Sequence, residues 1–110
     1  MSDRFITTEE VDRAVHFITN NALALAQAKG ELVRAQHMVK VALALEMKKH
    51  DGSVSKAEVL ARSSESYQSA IMDEVNATIE FEKLRSLQNA ASQKIDIWRT
   101  QESNVRAMKL

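Results

Sequence analysis

The sequence predicts an all-α fold: a long, coiled-coil-like antiparallel helical hairpin with a short helix at its hinge, self-associating into a four-helix arrangement. Three observations predict it. The first is composition: 110 residues contain no Pro, two Gly and 5% aromatics, while Ala, Leu, Glu, Lys, Gln and Met, all helix formers, abound. So few turn formers leave no means of making the tight turns of a multi-stranded sheet. The second is a heptad. Val11, Ile18, Leu25, Leu32 and Val39 recur every seven residues, with Ala14, Asn21, Ala28, Ala35 and Ala42 three positions later. The third is the order of charges. Residues 1–28 carry net −2, 29–49 net +3, 50–82 net −5 and 83–110 net +4, summing to the overall zero. Antiparallel pairing sets each acidic block beside a basic one.

Each element follows in order. Thr7 with Glu10 has the spacing of a capping box and opens a helix over 8–49. Gly30 costs about 1 kcal/mol relative to Ala, but the heptad keeps its phase on both sides of it, so the helix is expected to run through. Lys48, Lys49 and His50 suit a helix C-terminus, and Asp51-Gly52 a turn. Ser55 with Glu58 suggests a second capping box for a short helix over 56–62, whose Val59 and Leu60 would cover one side of the hairpin. The serines at 63, 64 and 66 end that helix and cap the next, over 65–107. Ala70, Ala77, Leu84, Ala91, Trp98 and Val105 mark its seam, flanked by Ile71, Val75, Phe81, Leu87 and Ile95. The long helices are each about 60 Å, and all 110 residues form one domain.

An apolar helix face needs a cover. The stretch MVKVALALEM, residues 38–47, is apolar nearly all round except at Lys40 and Glu46. A second copy is the simplest cover, which makes Val39, Val41, Leu43, Leu45 and Met47 the expected self-association residues of a homodimer. Met38, Met47 and Met72 are read as adaptable core near the hinge.

Little in the chain resembles a chemical site. Without cysteine there are no disulfides or thiolate metal sites. His16, His37 and His50 do not share a helical turn, and no His-x-x-x-His or Glu-x-x-His spacing occurs. The carboxylates at Glu9-Glu10, Asp73-Glu74 and Glu80/Glu82 read as a solvated acidic face, since paired helices offer no evident pocket to shift their acidity. No phosphate-binding glycine loop or nucleophile elbow is present. The expectation is a non-enzyme with no cofactor, metal or small-molecule substrate. The opening MSDRFITTEEVDR has no apolar h-region, and VKVALALEM is too short to span a bilayer. A soluble protein with no membrane partner is expected.

The last sixteen residues, IDIWRTQESNVRAMKL, hold the lone tryptophan. Trp98 falls on the seam row and is expected to anchor it opposite small residues such as Ala14. Arg99, Gln101, Glu102 and Arg106 are expected to face outward for recognition, with Lys109 extending the basic end. The block resembles the C-terminal pattern I-x-x-W-R-[ST]-Q-x-[AS]-x-x-R-A of a family of small bacteriophage and prophage helical proteins. It is carried by Ile95, Trp98, Arg99, Thr100, Gln101, Ser103, Arg106 and Ala107. Ser64, Tyr67 and Gln68 match that family's Ser-x-x-Tyr-Gln opening of the last helix. The family's members are often encoded near recombination and single-strand-annealing functions. The resemblance implies a cytoplasmic accessory protein of phage DNA recombination or replication, acting on a phage or host DNA-metabolism protein. Direct single-stranded DNA binding through Arg99, Arg106 and Lys109, with Trp98 stacking a base, is weakened by the zero net charge. Inhibition of a host nuclease or defence system is a third reading.

Overall fold

A computed structural model describes residues 5–109, so Asp3 and Arg4 of the first acidic block lie outside the described residues. The chain is an all-α hairpin: α1 spans Thr8–Met47, α2 Val54–Arg62 and α3 Glu65–Lys109, with α2 linking the long pair. It divides into two compact units. Residues up to Leu25 together with those from Lys83 onward form unit 1, and residues 26–82 form unit 2.

Side-chain oxygens start each helix. The Thr7 hydroxyl accepts from the Glu10 N–H (3.2 Å), and the Glu10 carboxylate accepts from the Thr7 N–H (3.4 Å), the reciprocal bonds of a capping box. α1 continues through Gly30 to Met47, after which Lys48 and Lys49 form a turn. Gly52 has φ +104°, a conformation that favours glycine, and it lets the chain reverse into α2. The cap of α2 is Ser53, whose hydroxyl accepts from the Lys56 N–H (3.2 Å), rather than the expected Ser55. With the start two residues earlier, Glu58 is not part of the cap and instead pairs with Arg62 at 2.8 Å. Ser63 caps the end of α2, and the Ser64 hydroxyl accepts from the Tyr67 N–H (3.3 Å) to open α3.

The expected seam on α1 faces inward throughout. Val11, Ala14, Ala28, Leu32 and Ala35 are buried, and Ile18, Asn21, Leu25, Val39 and Ala42 are half-buried. On α3 the seam has two rows. One runs Ala70, Ala77, Leu84, Ala91 and Trp98; the other runs Tyr67, Glu74, Phe81, Gln88, Ile95 and Glu102, each buried or half-buried. The second row alternates aromatic or aliphatic residues with polar ones. Val75 and Leu87, expected as flanking members, are exposed. In α2 the buried pair is Ala57 and Ala61, one turn apart, while Val59 and Leu60 point outward. Alanines permit close approach to a neighbouring helix, which bulkier side chains at those positions would prevent.

Both units are antiparallel. In unit 2 the Ser66 hydroxyl donates to Glu46 (2.6 Å), and the Lys29 ammonium lies 5.1 Å from the Phe81 ring centroid, a cation–π contact. In unit 1 the backbone of Ile6 meets the side chain of Gln101. No helix among the described residues is long and apolar enough to cross a membrane.

Candidate functional site

Two surfaces stand out, one in each unit. The C-terminal turns of α3 in unit 1 place the expected recognition residues in different surroundings. Trp98 is half-buried on the seam. Ala14, its expected counterpart, lines a small hollow with Phe17, Leu87, Ala90 and Ala91. Gln101 does not face outward. Its Nε2 donates to the Ile6 carbonyl (3.2 Å) and its Oε1 accepts from the Ile6 N–H (3.0 Å), so both halves of the amide are occupied across 95 residues of sequence. Glu102 is likewise half-buried, on the second seam row.

Arg99, Arg106 and Lys109 are exposed. Arg99 lies 3.8 Å from Asp96, but both side chains are more than 70% exposed, so the pair contributes little to stability. Seven residues apart, Arg99 and Arg106 share one side of the helix; Ile97 and Met108, three turns apart, share another. Ile97 is 50% exposed and Met108 85%. Arginine and methionine are both enriched where proteins meet. The end of α3 therefore presents cations on one side and apolar side chains on the opposite side, with a tryptophan held in the seam between them.

The second surface is a groove of about 1000 Å³ in unit 2, which the sequence reading did not anticipate. Its floor is alanine: Ala35 and Ala42 from α1, Ala70 and Ala77 from α3. Met38, Val41 and Leu45 form one wall, and Asp73 and Asn76 line the other. Of the expected self-association residues, exposed Leu45 and half-buried Val41 line this groove, whereas Val39, Leu43 and Met47, also half-buried, do not. One row of 38–47 is spent on the seam, so only the row beside it remains to line an open surface. Met38 and Met72, expected in the core, are exposed at 42% and 55%.

Ion pairs mark both ends of the groove on α1. Arg34 binds Glu31 at 2.8 Å, and Lys49 binds Glu46 at 2.8 Å. Hydrogen bonds from Arg34 hold the Glu31 carboxyl below the ordinary glutamate range. Glu46 is lowered in the same sense by hydrogen bonds from Lys49 first and Ser66 second, partly offset by its burial. Near the hinge, Arg62 donates to the hydroxyl of buried Tyr67 (2.9 Å) and lies 5.7 Å from its ring, while Gln68 donates to the Arg62 carbonyl. Tyr67 and Gln68 thus join α2 to α3.

Histidines give no centre: His16 and His37 are exposed, and His16 Nδ1 lies 2.8 Å from the Asp12 carbonyl. Among the described residues no group of three His, Cys, Asp or Glu is placed to hold a metal ion. No family model, curated protein or solved structure matches the chain.

Proposed function

We propose that this chain is a non-enzymatic accessory protein that works by docking onto another protein, with the last turns of α3 as the docking surface. The observation that carries this reading is the exposure of Ile97 and Met108 on one side of the last turns of α3, with Arg99 and Arg106 exposed on the other. Large apolar side chains left in water suit a partner surface of complementary shape, and guanidinium groups on the other side suit a partner of acidic character that reaches round the helix. Gln101 supports the role indirectly: its bonds to Ile6 tie the chain ahead of α1 to this end of α3. The likeness of the Ile95–Ala107 block to small phage and prophage proteins supplies the setting. The partner is then a phage or host protein of DNA recombination or replication in the bacterial cytoplasm.

The test is titration calorimetry of the purified chain against a phage single-strand-annealing or recombination protein. Saturable binding is expected, weakened tenfold or more by Met108→Glu and by Arg99→Ala with Arg106→Ala. Binding that ignores both changes overturns the assignment of the surface, and no binding overturns the partner.

A second reading is single-stranded DNA binding, favoured by the exposure of Arg99, Arg106 and Lys109. It requires an affinity that falls steeply with salt, with a slope reduced by the arginine substitutions. Trp98 offers such a ligand little, because much of its ring is taken up in the seam.

A further inference from the structure

The α1 side of the unit 2 groove is self-complementary about Lys40. Glu31 lies nine residues before it and Lys49 nine after; Arg34 lies six before and Glu46 six after. Ala35 and Leu45 stand five residues to either side, and Met38 and Ala42 two. Each acid therefore has a base as its counterpart, and Met38 and Leu45 each have an alanine; Val41, whose counterpart Val39 lies outside the lining, is the exception. A random lining would not be expected to reproduce both alternations around one centre.

We infer that the groove of unit 2 is covered by the same groove of a second copy of this chain, with the two α1 helices antiparallel and crossing at Lys40. In that register Leu45 enters the space over the second copy's Ala35, and Met38 that over its Ala42, at both symmetric positions. A twofold interface uses each contact twice, which is how one patch becomes its own partner. Met38 and Leu45, 42% and 55% exposed in the single chain, leave water. At each end Glu31 and Arg34 meet the second copy's Lys49 and Glu46. The two ion pairs already formed within a chain become one cluster of four alternating charges.

The charges also select this orientation over its competitor. Rotating the second copy so that its α3 covers α1 brings Glu31 to the level of Glu80, since Lys29 and Phe81 are level within one chain. Acid would then lie over acid. In the antiparallel α1 arrangement the α3 helices also cross, and their lining runs from Ser66 to Glu80 with Asp73 seven residues from either end. Lys40 is level with roughly residue 71 of α3, between the Lys29–Phe81 and Glu46–Ser66 contacts, so Asp73 comes within about a turn of its own copy across the axis. This approach of like charges inside the groove limits affinity.

The inference concerns unit 2 alone and is independent of the docking role given to the end of α3. It is tested on the full chain by light-scattering mass after size exclusion. The expected mass is twice the 12.3 kDa of one chain, falling to one chain for Leu45→Glu. Leu45 is exposed in the single chain, so this variant should keep its helical circular dichroism and, under the reading above, its partner binding. Because the chain has no cysteine, mixing a Met38→Cys variant with an Ala42→Cys variant should give a disulfide-linked heterodimer on oxidation. Leu23→Cys, exposed and in unit 1, should not cross-link. Asp73→Asn should tighten the dimer several-fold. A monomeric parent, a dimer that survives Leu45→Glu, cross-linking at Leu23 as efficient as that of the mixed pair, or a dimer loosened by Asp73→Asn would each overturn the proposed interface.

Discussion

Replacing Gln101 by Leu removes both hydrogen bonds to the backbone of Ile6 while keeping a side chain of similar length. The size of the loss follows from the geometry. The bonds are 3.0 and 3.2 Å, neutral, and only partly buried. A net contribution of about 0.5–1.5 kcal/mol applies to each, and water can reach part of the freed Ile6 groups, so the total is about 1–2 kcal/mol. For a chain of this size that corresponds to a fall in Tm of roughly 4–8 °C. Hydrogen exchange isolates the cause, because the Ile6 amide should lose protection while amides within α2 keep theirs. Gln101→Glu adds a test of sign. A carboxylate can accept from the Ile6 N–H, but it sets its second oxygen against the Ile6 carbonyl, and only the protonated acid restores a donor. Its folded-state pKa is therefore raised above the unfolded value of about 4.3. Its stabilising contribution is complete below that unfolded value and is lost as pH rises through the folded one. An unchanged Tm and unchanged Ile6 exchange in Gln101→Leu would refute the reasoning.

Other changes have equally definite signs. Gly30→Ala should raise stability by about 1 kcal/mol, since a methyl there meets nothing within 4 Å and the helix is uninterrupted. Gly52→Ala should lower it by a similar or larger amount because of its φ of +104°; a pair of urea titrations measures both. Gln88 carries a buried side-chain oxygen without a hydrogen-bond partner on the second seam row, so Gln88→Leu should stabilise the chain by about 1 kcal/mol in the same titrations. Glu46 should titrate below the ordinary glutamate range in a carboxyl-carbon NMR experiment. Its folded pKa is depressed, so its contribution to stability is present above the unfolded pKa and lost as pH falls through the folded one; Lys49→Ala should return its titration towards the ordinary range.

Much of this architecture can be read in the sequence where apolar residues keep one phase. The rows from Val11 to Ala42 announce the α1 seam because almost every member is apolar. The second α3 row was hidden because Glu74, Gln88 and Glu102 alternate with Tyr67, Phe81 and Ile95, so a search for hydrophobic periodicity passes over it. α2 misled for the opposite reason. Val59 and Leu60 are its conspicuous apolar residues, yet close approach to the rest of unit 2 selects the smaller Ala57 and Ala61. Gln101 carried no local sign of its role, since its partner lies 95 residues away. The groove was also out of reach: its alanine floor draws on both α1 and α3, and only their pairing brings the two halves together.

The division of the chain also dictates an order of assembly. Residues 26–82 are one continuous stretch, whereas unit 1 joins the first residues to the last. Closing the loop between Ile6 and Gln101 unaided costs about 1.4 kcal/mol more chain entropy than closing that between Glu46 and Ser66, from the logarithmic dependence on loop length. Once the hinge has formed, each further turn closes only a short gap. Folding should therefore run as a zipper from α2 outward, with pulse-labelled amides of unit 2 protected before those of residues 5–25. During synthesis Val11, Ala14 and Ile18 emerge well before the part of α3 that shields them, because all of unit 2 is made in between. A truncation late in α3 would thus leave the start of α1 without its cover.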